Sequence, residues 1–224
     1  MIKDKVTVVF TSCGRFNLLR KTIDSFIKFN TYPVEEIIII ENSGILDSKE
    51  VLEHIVSKHK NNFKIIINET NIGQVSSIDK AYSFINTEYI FHSEDDWEFF
   101  DYGFIEKSID ILKHDPKIVN INLRVRFDGE RGSMHPIEPF TKQTNNGIIY
   151  YEYVRDYLNE WHGFSWNPGL RRLSDYNLIK PYINYTNEQG VGQKYRDMDY
   201  RSGCLEKFYC KHIGQNSITP KSNM

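Results

Sequence analysis

The sequence predicts an α/β protein built on a mostly parallel, Rossmann-like sheet with helices packed on it. Three observations predict it. The first half alternates short β-branched runs with amphipathic helical stretches, and a βαβαβαβ order implies parallel strands joined by right-handed crossovers. One run, Ile37 to Ile40, is isoleucine throughout, as expected of a strand buried on both faces. Each run also ends in small, polar or acidic residues that break the pattern.

The elements follow in order. Val6 to Thr11 is apolar and β-branched and reads as the first strand, with a turn at Ser12-Cys13-Gly14-Arg15. Asn17 is placed to cap a helix whose apolar face is Leu18, Leu19, Ile23, Phe26 and Ile27, a spacing near 3.6 residues. Tyr32-Pro33 interrupts the chain before the isoleucine strand, which ends at Glu41-Asn42-Ser43-Gly44. Asp47 or Ser48 caps a second helix with Val51, Leu52, Ile55 and Val56 inward, and Phe63 to Ile67 is a third strand. Asn71-Ile72-Gly73 leads into a helix over Val75 to Ile85, and Tyr89 to Phe91 is a fourth strand. A helix carrying Phe104, Ile105, Ile109 and Leu112 stops at Asp115-Pro116, and Ile118 to Leu123 is a further strand. The alternation then fades. Phe127 to Asn146 reads as a long loop, Ile148 to Tyr151 as a strand and Tyr153 to Leu158 as a short helix. Helices are expected over Ser174 to Ile179 and Gln193 to Arg201, and a last short strand over Phe208 to Lys211.

A chain of 224 residues holds one large domain or two small ones. With no internal repeat or low-complexity linker, it reads as a single domain over 1–224. Its net charge of −2 supplies no general attraction for nucleic acid or an anionic membrane. No apolar run is long enough for a spanning helix. The N-terminal segment lacks a secretory apolar core, and three cysteines without metal spacing read as reduced thiols. The expectation is a cytoplasmic protein.

The most informative segment is Glu94-Asp95-Asp96, three carboxylates directly after a strand. Like charges crowded there repel, and a divalent cation with a phosphate-bearing ligand would offset them. Oxygen donors favour Mg²⁺ or Mn²⁺. A solvated acidic turn is the alternative. In parallel sheets ligands bind outside the carboxyl ends of the strands. Thr11–Arg15, Glu41–Gly44 and Glu94–Asp96 should therefore meet at one edge.

Four segments in this order resemble the family 2-like, GT-A-fold glycosyltransferases. They are the first strand with Thr11-Ser12-Cys13-Gly14-Arg15, the Asn71-Ile72-Gly73 turn, the Glu94-Asp95-Asp96 triplet and His212-x-Gly214-x-x-Ser217. The triplet stands where the family carries its DXD motif and is similar to the EDD form of N-acetylglucosaminyltransferase I-type enzymes. The resemblance implies a nucleotide-binding portion over 1–123 and an acceptor-side, metal-completing portion over 124–224. It implies that Asp96 and His212 hold Mn²⁺ or Mg²⁺ on the donor diphosphate, imidazole suiting Mn²⁺ better. Glu94 would face the ribose or a metal-bound water, with Asp95 assisting. Thr11 and Ser12 would read the base, Glu41 would hold base or ribose, and Arg15 would face a phosphate. Gln74 and Lys80 belong to a stretch expected on the donor, although Ile78 stands where the family often has a basic residue. The segment Trp161 to Leu170 resembles the loop lining donor sugar and acceptor, with Trp166 as the lining aromatic and Arg171 or Arg172 reaching the diphosphate.

The family's catalytic Glu-Asp pair falls on Glu188-Gln189. An amide cannot take a proton, so Glu188 is the expected base, with Asp197 and Asp199 as alternatives. The implied function is inverting, metal-dependent transfer of a sugar from a nucleotide-diphosphate donor, UDP-linked, to the hydroxyl of a glycan or other acceptor. Two alternatives remain. One is a sugar-phosphate nucleotidylyltransferase, for which Ser12-Cys13-Gly14-Arg15 is a short loop. The other is a non-catalytic nucleotide- or glycan-binding module, kept open by Gln189. The small size suits a piece of a larger glycan-assembly protein.

Overall fold

The computed structural model describes residues 4–123, 137–156 and 163–214. Strands β1 (Val6–Ser12), β2 (Glu36–Glu41), β3 (Phe63–Ile67) and β4 (Tyr89–Glu94) alternate with helices α1 (Phe16–Phe29), α2 (Ser48–Val56) and α3 (Gln74–Tyr82). A short strand β5 (Trp97–Phe99) and helix α4 (Phe104–His114) lead to β6 (Ile118–Asn122). The second half contributes β7 (Lys142–Gln143), β8 (Ile149–Glu152), β9 (Gly169–Arg172), α5 (Leu173–Ile179), a 3-10 turn at Tyr182–Tyr185, α6 (Glu188–Asp197), β10 (Arg201–Leu205) and β11 (Cys210–His212).

Nine strands form one sheet in the order β3-β2-β1-β4-β9-β6-β10-β8-β7, and β11 pairs with β5 in a small second sheet. The strands β3, β2, β1 and β4 run parallel, as expected from their alternation with helices. Both faces of this half are covered. Val8, Phe10, Ile37 and Ile39 pack beneath α1, α2 and α4, while Val9, Ile38 and Ile40 pack beneath α3, α5 and α6. The isoleucine run is fully buried, which is why it carries no alternation. The chain turns back on itself between β1 and β4, and the crevice outside their carboxyl ends is where a sheet of this kind takes a ligand.

Several expectations are corrected. Asn17 caps nothing: α1 begins at Phe16, and Arg15 occupies the cap position without a side-chain bond. Val51 does not point inward but is 37% exposed. Neither Asp47 nor Ser48 caps α2 with its side chain; the Ser48 hydroxyl donates back to the Ile45 carbonyl at 2.7 Å. Tyr153 forms a bridge to Ile137 rather than starting a helix; Tyr157 and Leu158, the end of that expected helix, lie outside the described residues. Part of the expected loop 127–146 is strand β7. Helix α6 starts at Glu188, where the Asn187 side chain accepts from the Gly190 amide at 2.9 Å, and Arg201 opens a strand instead of closing a helix.

Gly169 and Leu170, the end of the segment read as a site-lining loop, instead open strand β9. Its residues, Gly-Leu-Arg-Arg, carry no strand signal of their own. It is a strand because the slot between β4 and β6 leaves backbone groups on both sides to be paired, and it runs antiparallel to each.

Candidate functional site

The carboxyl ends of β1, β2 and β4 bring together the three polar segments singled out in the sequence. Ser12 pairs in register with Glu41, and Thr11 with Glu94. Gly14 adopts φ +72°, open to glycine at little cost, and its amide donates to Glu41 Oε1 at 2.9 Å. The same oxygen accepts from the Ser43 amide at 2.7 Å, so one buried carboxylate ties the β1 turn to the β2 turn. Glu41 Oε2 and Ser12 Oγ, both buried beside it, have no hydrogen-bond partner among the described residues. Thr11 is buried at the same strand end.

The acidic turn after β4 is held by α1. The Thr22 hydroxyl donates to the Asp95 carbonyl at 2.8 Å and accepts from the Trp97 amide at 3.0 Å. Arg15 offsets the crowded charge. Its Nε reaches Asp95 Oδ2 at 3.2 Å, Nη2 bonds Asp95 Oδ1, and Nη1 lies 2.6 Å from Asp96 Oδ2. The expectation that Arg15 faces a phosphate is thus corrected: the guanidinium is the carboxylates' own counter-charge, within the chain. The β5–β11 pair brings His212 in. Its Nε2 lies 3.1 Å from Asp96 Oδ2, and its ring stands edge-on to Trp97 with centroids 5.1 Å apart. The Ile213 amide donates to the Asp96 carbonyl at 2.8 Å. A Cβ on Gly214 would stand 2.3 Å from Asp96 Oδ2, so glycine is required for this close approach. Gln215 to Ser217, the rest of that motif, lie outside the described residues.

Burial and neighbouring charge separate the three acids. Glu94 is pushed up to about 7, first by burial and then by the charges of Asp96, Glu188 and Asp95. Asp95 is pushed up to about 6 by burial, against the pull of Arg15. Asp96 goes the other way: burial opposes it, but the His212 hydrogen bond and the Arg15 charge hold it below the ordinary range. Asp96 is therefore the most firmly ionised of the three, and its Oδ1 is buried without a partner.

A divalent cation fits these residues in one way only. Among the described residues no three His, Cys, Asp or Glu side chains group to hold a metal by themselves. Asp96 Oδ1 and His212 Nε2 supply two donors, which suits an open site whose remaining positions are filled by phosphate oxygens and water, not a closed cage.

Across the crevice stands Glu188, the first residue of α6. Its Oε2 accepts from the Trp166 amide at 2.7 Å and from the Ser165 hydroxyl at 3.3 Å. Burial raises its pKa, and those bonds together with the Arg171 charge moderate the rise. Its charge adds to the burial and the Asp96 charge that raise the Glu94 pKa, so the two carboxylates are near neighbours. Gln74 reaches the same acid, Nε2 to Glu94 Oε1 at 2.8 Å.

Other expected residues lie elsewhere. Asp197 pairs with Gln193 and Arg196, and Asp199 with Arg155, both at the far end of α6. At about 1.5 Å rise per residue, that end is about 13 Å from Glu188. The following strand opens at Arg201 opposite Ile118, the first residue of β6, so Asp199 lies toward the amino edge of the sheet. Lys80 donates to Asn68 Oδ1 at 2.6 Å and belongs to an asparagine network with Asn42, Asn71 and Ser77 that folds the Asn71-Ile72-Gly73 turn. Trp166 contributes its backbone amide, while its indole packs in the core against Phe164 and Tyr182. Arg171 is 1% exposed, and Arg172 is tied to Asp175 and to three carbonyls at the opposite sheet edge, so neither faces the crevice. Trp161 and His162 lie outside the described residues. Sequence reasoning missed Thr22 and Ser165, small hydroxyl residues whose partners lie far away in sequence.

The fold agrees with that of known proteins the chain is similar to. The profile of the Glycosyl transferase family 2 matches residues 7–178, and the chain belongs to that family. No curated protein matches it by sequence. Its fold is that of GT-A glycosyltransferases. One similar structure is the mannosyltransferase PcManGT from Pyrobaculum calidifontis in complex with GDP-Man and Mn²⁺, at TM-score 0.68 and 11% identity over 99% of this chain and 59% of that one. A second is S. aureus TarS 1-349 with UDP-GlcNAc, at 0.66 and 13% over 95% of this chain and 59% of that one. A third is GalNAc-T7 with UDP, GalNAc and Mn²⁺, at 0.70 and 13% over 95% of this chain and 44% of that one. The chain thus spans 59% of the length of the first two. No helix among the described residues is long and apolar enough to cross a membrane.

Proposed function

We propose that this chain is the transferase portion of an inverting, metal-dependent glycosyltransferase that moves a sugar from a nucleotide-diphosphate donor, UDP-linked, to an acceptor hydroxyl. One observation carries the reading. The acidic turn, anchored by Arg15 and His212, and the carboxylate of Glu188, held by Ser165 and Trp166, lie near enough for the Glu188 charge to act on Glu94.

Each residue then has a task. Glu41 and the ends of β1 and β2 receive the nucleoside, for which the partnerless Glu41 Oε2 and Ser12 Oγ offer an acceptor and a hydroxyl. Asp96 and His212 would hold Mn²⁺ or Mg²⁺, which when bound neutralises charge on the departing diphosphate. Arg15 balances the charge of Asp95 and Asp96. Glu188 takes the proton from the acceptor hydroxyl as it attacks from the face opposite the diphosphate. Burial suits it to the role by lifting its proton affinity toward neutrality. The short Ser12-Cys13-Gly14-Arg15 turn, spent on binding Glu41 and the acids, argues against a nucleotidylyltransferase.

The test is a melting-temperature screen of nucleotide sugars with and without Mn²⁺, since a donor that binds the folded state raises its melting point. A Mn²⁺-dependent rise with one donor is expected, lost in Asp96→Ala while the metal-free melting transition stays cooperative. A donor-induced rise that survives in Asp96→Ala contradicts the assignment. Tight donor binding without any sugar transfer over a broad acceptor set would favour a non-catalytic module.

A further inference from the structure

Arg171 lies in the middle of β9, opposite Ile90 on one side and Asn120 on the other. Its side chain is fully buried, and among the described residues no carboxylate lies within ion-pairing distance of it. Its Nη2 donates to the Ser165 carbonyl at 3.0 Å, its guanidinium carbon sits 5.1 Å over the Phe164 ring, and its hydrogen bond and charge act on the buried Tyr182 hydroxyl. A buried cation without a carboxylate partner is costly to maintain. What it touches is the support of Glu188. The residue whose carbonyl Arg171 holds, Ser165, gives its hydroxyl to Glu188 Oε2, and the next residue, Trp166, gives that oxygen its amide.

We propose that Arg171 is a positioning residue for Glu188: through Ser165 it fixes the segment that grips the carboxylate, and as a buried cation it keeps that carboxylate ionised. The inference rests on the reading of Glu188 as the base and adds the residue that prepares it. The charged groups facing Glu188 are Glu94, from the end of β4, and Arg171, from β9. They act in opposite senses. Glu94 favours the protonated form of Glu188, and Arg171 favours the anion that accepts a proton. Burial keeps His92 neutral, and the same cation adds to that effect.

The experiment is a titration of Glu188 by NMR of isotope-labelled glutamate carboxyl carbons, its signal assigned by loss in Glu188→Gln. Arg171→Gln keeps a donor for the Ser165 carbonyl but removes the charge, and relieving an unpaired buried cation should leave the fold intact. Glu188 is expected to titrate about one unit higher in Arg171→Gln, while Arg171→Lys, which keeps the charge, should track the wild-type curve. An unmoved titration in folded Arg171→Gln overturns the inference. If Arg171→Gln does not fold, Arg171→Met, neutral and of similar length, is titrated in the same way: an upward shift of Glu188 is expected, and an unchanged curve overturns the inference. Turnover by Glu188→Gln is measured separately. Retained turnover there would refute the base assignment, whereas lost turnover with an unmoved Glu188 in Arg171→Gln would refute only the role of Arg171.

Discussion

The two edges of the sheet carry similar charged residues and use them differently. At the amino edge, Arg172 donates to Asp175 and to the carbonyls of Leu112, Asp115 and Ile118, and Arg201 pairs with Asp115 and Glu152. Those arginines finish structural joints among α4, β6, β9 and β10. At the carboxyl edge, Arg15 faces two carboxylates, yet Asp96 Oδ1, Glu41 Oε2 and Ser12 Oγ remain buried without partners and two acids are pushed toward neutral pH. The difference is that at the carboxyl edge unpaired buried oxygens gather beside two acids displaced toward neutral pH. Buried polar groups are normally paired, and a group of unpaired ones points to a missing partner.

The comparison can be broken or sharpened. The largest effect is expected from Glu188→Gln, which removes the base but keeps the shape. Nucleotide release from the donor in the presence of acceptor should fall on the order of 10²–10⁴-fold, with donor-induced stabilisation unchanged; near-wild-type release would end its assignment. Next is Arg172→Met at the other edge. It strands the buried Asp175 and should lower unfolding stability by about 3 kcal/mol in urea titration, without changing the Mn²⁺-dependent donor shift at saturating donor. A loss of donor binding there would erase the distinction between the edges. Gly214→Ala should do the reverse. Its methyl meets Asp96 Oδ2, so Mn²⁺ affinity by calorimetry should drop about 10–100-fold with little change in melting temperature.

The smallest effect is in pH. Glu94 and Asp95 have folded pKa values above their unfolded ones, so the native state binds more protons than the unfolded state between the two. Stability should therefore fall as pH rises from about 4.5 toward 7, by at most about 1.4 kcal/mol per unit from each group. Metal-free protein should melt higher at mildly acidic than at neutral pH, and Glu94→Gln should flatten the slope. A melting temperature that climbs steadily with pH would contradict the burial of these acids.

Legibility in the sequence follows how local each contact is. The β1–β4 half was readable because its strands are apolar and β-branched and its helices periodic, signals carried within a few residues. The crevice itself was readable from Glu41 and Glu94-Asp95-Asp96, since the parallel topology sends all strand ends to one edge. The partners were not. Arg15 binds acids rather than a phosphate, Lys80 serves an asparagine network, and Trp166 offers a backbone amide in place of its ring. A side chain's type limits what it can bind, but its neighbours decide what it does bind. Asp197 and Asp199 stood as alternatives to Glu188, and the direction of α6 puts them at its far end.

By itself the sequence determined the layered α/β architecture, the burial of the isoleucine strand on both faces and the position of an acidic turn at a strand end, because periodicity and turn chemistry act over short distances. Tertiary structure alone decided that Gly169–Arg172 is a central strand, that Arg171 is a buried cation and that Thr22 holds the Asp95 carbonyl. Those outcomes depend on filling a gap in a sheet and pairing groups distant in sequence, and no local pattern encodes them.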